Sequence, residues 1–308
     1  MGYRQLYEEG KLHQRVEQAL SILEDCCLCP RRCQVNRVKG ELGKCSTGRH
    51  TIVSSFGPHF GEESPLVGSG GSGTIFFTYC NLRCCFCQNY SISQLGEGRE
   101  VETGELAGMM LSLERSGCHN INFVSPTHVV PQILESLEIA AKAGLSVPLV
   151  YNSGGYDSVQ TLKLLDGIFD IYMPDMKYSD KQNAQRFSGI EDYPELNRAA
   201  VKEMHRQVGD LRIDEHGVAT GGLLVRHLVL PHGLAGTAEV CRFLSREISA
   251  DTYLNVMAQY RPCFKANEIP ELACSLSREE FIEAVKIAHN YGLRRLDRVE
   301  SRHFVWAL

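Results

Sequence analysis

Three cysteines, Cys80, Cys84 and Cys87, stand in the spacing C-x3-C-x2-C within TYCNLRCCFCQNY. A 4Fe-4S cluster usually takes four thiolates, so a compact loop that supplies three leaves one iron open to a small molecule. The same three residues could instead bind zinc or lie in the core as scattered small hydrophobes. Cys85, between two of them, is expected to pack as an inert side chain, because adjacent cysteines point in different directions. A second group reads Cys26-x2-Cys29-Pro-x2-Cys33-x11-Cys45, with Cys27 as a spare thiol. Four thiolates suit either a closed structural zinc or a fully ligated 4Fe-4S cluster, and the spacing does not choose between them. A cysteine-rich loop without metal is the remaining reading. Cys118, Cys241, Cys263 and Cys274 have no partner spacing and are expected to be buried small hydrophobes.

Thirteen cysteines in 308 residues are unusual for a chain with no secretory signal at its start, and in a reducing compartment repeated cysteine spacings point to metal or redox chemistry. MGYRQLYEEGKLHQRVEQAL mixes acids with bases and has no apolar stretch, and no run of about 18 apolar residues follows, so a cytoplasmic chain without a membrane span is expected. A net charge of -5 and a pI near 6.1 lack the basic excess of a nucleic-acid binder. Hydrophobic content of 43% is ample for a packed core.

Something must hold these thiols at one place. From about residue 74, β-branched and aromatic runs alternate with amphipathic stretches, the pattern of βα units on a parallel sheet. Strands are expected at 74–80, 120–125, 147–153, 169–175, 225–231 and 253–259. The last helix is the best marked, with Ser277 and Glu280 in capping-box spacing and Gly292 as its stop. The fold expected is α/β, a partial (β/α)6 barrel over residues 69–308, preceded at 1–68 by a helix (1–20) and a cysteine-rich metal module. Residues 190–222 exceed a normal connection and are expected to contain a hairpin. The stretch Gly68-Ser69-Gly70-Gly71-Ser72-Gly73 matches a dinucleotide fingerprint, but it precedes a strand instead of following one and is read as a flexible entrance.

The cysteine loop directly after the first barrel strand, with the aromatic Phe86 before its last cysteine, resembles the radical S-adenosylmethionine (SAM) superfamily. CLCPRRC, NYSIS, NINFVSPTH, the DMK at 175–177 and RHLVLP further resemble the iron-sulfur branch of proteins related to pyruvate formate-lyase activating enzymes. The resemblance implies that a 4Fe-4S cluster on Cys80, Cys84 and Cys87 is chelated at its open iron by the amino and carboxylate groups of SAM. One electron then breaks the sulfonium bond, and the 5′-deoxyadenosyl radical so formed abstracts hydrogen. A low-potential donor such as flavodoxin or ferredoxin is implied. The target is either the glycine backbone of a glycyl-radical enzyme or a small molecule or peptide. Ser125-Pro126-Thr127-His128 stands where the activating enzymes carry Gly-Gly-Glu, and the extra cysteines precede the barrel, which favours the second target. A non-catalytic zinc-binding adaptor is the alternative from a different class.

Barrel enzymes work at the C-terminal ends of their strands, which assigns provisional cofactor contacts. These are Phe86 in the loop, Ser125, Thr127 and His128 after strand two, Asn152 and Ser153 after strand three, and Asp175 and Lys177 after strand four. Strand five offers Arg226, whose guanidinium could grip the methionyl carboxylate, and strand six offers Met257 and Gln259. His227 reads equally as a core residue. His128 and His232 are further candidates as acids or bases. The run Arg294, Arg295, Asp297, Arg298, Glu300 and Arg302 is expected to be a solvated face that could receive an electron donor.

Overall fold

The computed structural model describes residues 1–297. Its strands are β1 (Thr51–His59), β2 (Ser72–Phe77), β3 (Arg99–Val101), β4 (Ile121–Val124), β5 (Leu149–Ser153), β6 (Ile171–Pro174), β7 (Arg212–Ile213), β8 (Ala219–Leu228) and β9 (Tyr253–Met257). Strands β2, β4, β5, β6, β8 and β9 lie side by side and parallel. The connections carry α5 (Thr103–Arg115), α6 (Val130–Lys142), α7 (Val159–Leu164), α8 (Lys181–Ser188), α9 (Tyr193–Val208) and α10 (Thr237–Phe243), and α11 (Arg278–Asn290) follows β9. The remaining helices are α1 (Gly2–Glu8), α2 (Lys11–Ser21), α3 (Ser64–Val67) and α4 (Tyr90–Ser93). This is the partial (β/α)6 barrel. The capping box of α11 forms, with Ser277 and Glu280 exchanging hydrogen bonds.

Alternation along the strands divides the protein into two cores. Phe123, Tyr151, Tyr172, Val225 and Leu254 face outward and join the layer under the helices. Val150, Ile171, Met173, Leu224 and Tyr253 face inward and meet Leu66, which the single turn of α3 inserts into the barrel. The floor is therefore plugged, by apolar side chains on β5, β6, β8 and β9 with the polar Thr74 and Asn122 level with them on β2 and β4. One step further along the same inward faces the residues turn polar: Asn152, Asp175, Arg226 and Asn255. The site can open only at the C-terminal ends.

The structure departs from the sequence expectation in four places. Residues 1–20 form two helices, because Gly10 adopts a left-handed conformation (φ 71°) between α1 and α2. The segment expected to end at residue 68 contributes β1, which pairs antiparallel with β2, so the sheet crosses that boundary. Gly57-Pro58 disguised this strand as a loop. β3 reaches only residues 51–53, which leaves Pro58 on an open edge where a missing N–H is tolerated. The long connection at 190–222 opens with a helix that was not expected, α9, and ends in the expected hairpin, β7–β8, closed by an Asp214 carboxylate that accepts from His216 and Val218 N–H. Of the charged run, Arg294 is exposed as expected, whereas Arg295 donates to the Leu211 and Asp251 carbonyls and Asp297 accepts from the Tyr253 hydroxyl. Arg298, Glu300 and Arg302 lie outside the described residues. No helix among the described residues is long and apolar enough to cross a membrane.

Because Leu66 is fully buried in the floor, Leu66→Ala should lower the unfolding free energy by about 2–5 kcal/mol, measured by urea denaturation. A loss below about 0.5 kcal/mol would contradict the plug.

Candidate functional site

The loop that leaves β2 winds through two left-handed non-glycine residues, Tyr79 (φ 68°) and Arg83 (φ 59°). It is pinned on both sides. Cys85 N–H donates to the Phe187 carbonyl at 2.7 Å, Lys265 N–H donates to the Cys85 carbonyl at 2.9 Å, and Gln88 donates to the Gln259 carbonyl at 2.7 Å. Each of the three predicted ligand sulfurs meets a polar group, and Cys80 Sγ also lies 4.0 Å from Asn81 Oδ1. Leu82 N–H lies 3.4 Å from Cys80 Sγ, the Ser188 hydroxyl donates to Cys84 Sγ at 3.2 Å, and the Ser93 hydroxyl is 3.1 Å from Cys87 Sγ. The thiols also sense one another. Burial, then Cys84 and further off Cys87, pushes Cys80 up to about 11, and burial together with Cys84 raises Cys87 despite the Ser93 hydroxyl.

This donor set fits a 4Fe-4S cluster. Three soft sulfurs approach closely on one short loop, with a hydrogen-bonding group at each to tune it. Among the described residues no three Cys, His, Asp or Glu side chains converge to share a single ion. A cubane makes no such demand, since each thiolate binds a different iron.

Beside the loop stands a buried charge network. Arg226 Nε donates to Asp175 at 2.8 Å and its Nη2 donates to Asn152 at 2.7 Å, while Lys177 Nζ donates to the other oxygen of Asp175 at 2.6 Å. Burial opposes charge on all three ionised groups. Arg226 and Lys177 nonetheless hold Asp175 below its ordinary value, and Asp175, with Cys84 behind it, raises Lys177. Glu63, just before α3, reaches in from below: its Oε1 accepts from Asn255 at 2.9 Å and lies 3.9 Å from Arg226, and its Oε2 is unpartnered. Burial raises the Glu63 carboxyl even against Arg226. Sequence reasoning missed Glu63 because it lies in a connection rather than at a strand end.

Several predicted contacts go elsewhere. Thr127 and Ser153 donate to the buried Asp157 at 2.7 Å each, joined there by the Tyr151 hydroxyl, so their hydroxyls brace the strand ends. Asp157, four residues past Ser153, was the overlooked partner. His128 is turned behind the sheet, with its Nε2–H donating to the Thr78 carbonyl at 3.0 Å. Phe86 is buried in an aromatic cluster with Tyr178, Phe187 and Tyr260, backing the loop. Ser125 occupies the left-handed turn that ends β4 (φ 60°), and Gln259 donates to the Met257 sulfur at 3.2 Å across the rim. His232 is exposed at the rim, its backbone N–H donating to Glu280. Cys118 and Cys241 are buried as expected, whereas Cys263 and Cys274 are only partly so, because they lie in the irregular segment between β9 and α11. Cys26, Cys29, Cys33 and Cys45 line one pocket, against which His128 also packs.

Comparison with known proteins matches residues 74–223 to a family described as the Radical SAM superfamily. An uncharacterised protein of Methanocaldococcus jannaschii is 32% identical over 289 residues, covering 91% of this chain and 78% of that protein. A radical SAM methyltransferase from Sphaerobacter thermophilus superposes with a TM-score of 0.52 at 15% identity, over 71% of this chain and 64% of that one, less than two thirds of its length. At that identity the likeness is one of fold.

His227, on β8 beside Arg226, is a core residue: Nδ1–H donates to the Met176 carbonyl at 2.7 Å and Nε2 accepts from the Thr237 hydroxyl at 2.9 Å. Burial, more than any neighbouring charge, lowers its pKa from 6.5 to about 4. A histidine depressed on folding contributes stability that is present above its unfolded value and lost as pH falls. Between pH 6.5 and 4 it should account for a loss of about 3 kcal/mol. His227→Gln should flatten that part of the pH–stability profile in chemical denaturation, and an unchanged slope would show that His227 does not stay neutral in the fold.

Proposed function

The chain belongs to the radical SAM superfamily, through its domain at residues 74–223, and on that premise we propose that Cys80, Cys84 and Cys87 hold its 4Fe-4S cluster and that the mouth of the barrel binds SAM. One observation carries this reading: three thiols, each with its own polar partner, stand on one pinned loop beside the Asp175–Lys177–Arg226 network. Bound there, a 4Fe-4S cluster would supply the single electron for reductive cleavage of SAM, the source of the radical that would take hydrogen from substrate.

This chain's residues bind, orient and seal. Asp175 holds the Lys177 ammonium and the Arg226 guanidinium at the end of β6 and β8, where an arriving carboxylate can share either cation. The Phe86 cluster closes the loop from behind and keeps water from the sulfurs. Asn152 fixes the far end of the guanidinium. Ser125, Met257 and Gln259 form the rim against which the nucleoside end would rest. The electron comes from a low-potential protein such as flavodoxin or ferredoxin, in a reducing cytoplasm, where the chain's free cysteines would persist.

For the substrate we favour a small polar molecule or peptide segment that enters the barrel. Glu63 keeps one carboxylate oxygen buried and unpartnered close to Arg226. Such a group costs free energy unless something occupies it. Activation of a glycyl-radical enzyme is the second reading, favoured by the Asp175–Lys177 pair placed next to the loop as the D-x-K resemblance implies.

Cys84→Ala should reduce 5′-deoxyadenosine formation with dithionite and SAM to the level without protein. Retained formation would remove the loop from the chemistry, and a colourless, zinc-loaded wild-type protein would leave the adaptor reading. Arg226→Ala should raise the dissociation constant for SAM roughly tenfold or more in anaerobic calorimetry; an unchanged constant would free Arg226 of the carboxylate role.

A further inference from the structure

A guanidinium lies buried in the N-terminal segment without a carboxylate to neutralise it. Arg37 is 1% exposed. Its Nε and Nη2 donate to the Gly48 carbonyl at 3.1 and 2.8 Å, its Nη1 donates to the His128 carbonyl at 2.8 Å, and that same Nη1 is 4.0 Å from Cys26 Sγ. No acidic side chain pairs with it among the described residues. A cation removed from water with only carbonyls around it is costly, so a compensating negative charge is expected close by.

The groups able to supply that charge are the four thiols that share a pocket with Arg37: Cys26, Cys29, Cys33 and Cys45. The spare Cys27 is exposed and outside it. The chain is folded around these sulfurs with some strain. Cys26 N–H donates to the Val35 carbonyl and Gln34 N–H returns the bond to Cys26, while Arg32 (φ 41°), Gln34 (φ 56°) and Ser46 (φ 50°) take left-handed conformations next to Cys33 and Cys45. Lys44 N–H points at Cys33 Sγ from 3.4 Å. Gly43 lies so near that a Cβ there would be 2.9 Å from the same sulfur. Backbone amides aimed at sulfur, on tight turns with no room for a side chain, are the local structure a ligated thiolate needs.

A second, independent feature borders the same pocket. His128, 2% exposed, lines it. Its Nε2–H is engaged by the Thr78 carbonyl, which leaves Nδ1 as a bare lone pair, and Nδ1 is buried without a partner. The pocket also abuts the Cys80 loop. The Asn81 carbonyl accepts from Arg31 Nε at 3.0 Å, and Arg83 donates to the Lys44 carbonyl at 3.2 Å.

We propose that Cys26, Cys29, Cys33 and Cys45 ligate a second 4Fe-4S cluster, fully coordinated, with Arg37 as its buried counter-charge and His128 in the wall beside it. Four thiolates around an oxidised cubane leave net negative charge, which a guanidinium can offset, and the sulfurs ring the pocket without converging on one point. The site stands whether or not the Cys80 loop performs radical chemistry.

The test is iron, zinc and acid-labile sulfide per chain in the anaerobically purified full-length protein, for the wild type and for the triple variant Cys80→Ala, Cys84→Ala, Cys87→Ala. The triple variant should stay brown, keep about four irons and four sulfides, and lose them when Cys29→Ala and Cys45→Ala are added. Arg37→Gln should speed loss of that iron to a chelator several-fold. A folded triple variant that carries zinc or no metal would overturn the proposal. Should the variants fail to fold, alkylation of the native wild type followed together with metal release decides. Cys27 should react at once, and Cys26, Cys29, Cys33 and Cys45 only as iron is released to the chelator; immediate modification of all five, or protection that ends with release of zinc, would overturn the site.

Discussion

Removing charge from water at the open end of the barrel is the constraint that organises this protein. Asp175 lies between two cations, and all three groups are largely buried. An isolated ion there would be intolerable, so each must be held within hydrogen-bonding reach of its partner. Strand register does the holding: Asp175 at the end of β6 lies opposite Arg226 on β8, and Arg226 lies opposite Asn255 on β9. A slip of one residue would turn the arginine into the helix layer and leave the carboxylate alone.

The same constraint explains why the barrel is mostly apolar below and polar above. Leu66 fills the floor against Val150, Ile171 and Leu224, so water cannot reach the charged layer from beneath. The connection that delivers Leu66 also delivers Glu63 to the underside of that layer. One irregular segment thus both seals the barrel and adds an acid to it, and the carboxyl of that acid shifts toward its neutral form because a single distant arginine does not offset its burial.

The N-terminal segment meets the barrel as a wall of the site. Arg31 and Arg83 tie the two cysteine loops together through backbone carbonyls, Arg37 ties the N-terminal one to the turn after β4 through the His128 carbonyl, and Thr161 fastens Leu28 at 2.7 Å. Carbonyl partners leave the charge of these arginines unspent. In a segment with little apolar core of its own, only the small cluster of Leu23, Cys26 and Leu28, that unspent charge and the gathered thiols give the same reason for a metal to complete it.

Much of this was legible in residue order. The six parallel strands followed from β-branched runs spaced by helical stretches, and the cysteine loop was placed at the end of the first of them by spacing alone, because both are local patterns. Long-range contact was not legible. Nothing near Thr127 or Ser153 announced that Asp157 would take their hydroxyls, nothing in Glu63 announced Asn255 almost two hundred positions away, and the identity of His128 gave no sign that its ring would bond the Thr78 carbonyl. Residue types and their local period determined the elements and the donor atoms this protein possesses. Which donors face the barrel mouth and which are consumed in bracing it was decided only when packing brought distant segments together, since a buried polar atom bonds to whatever partner the fold leaves within reach.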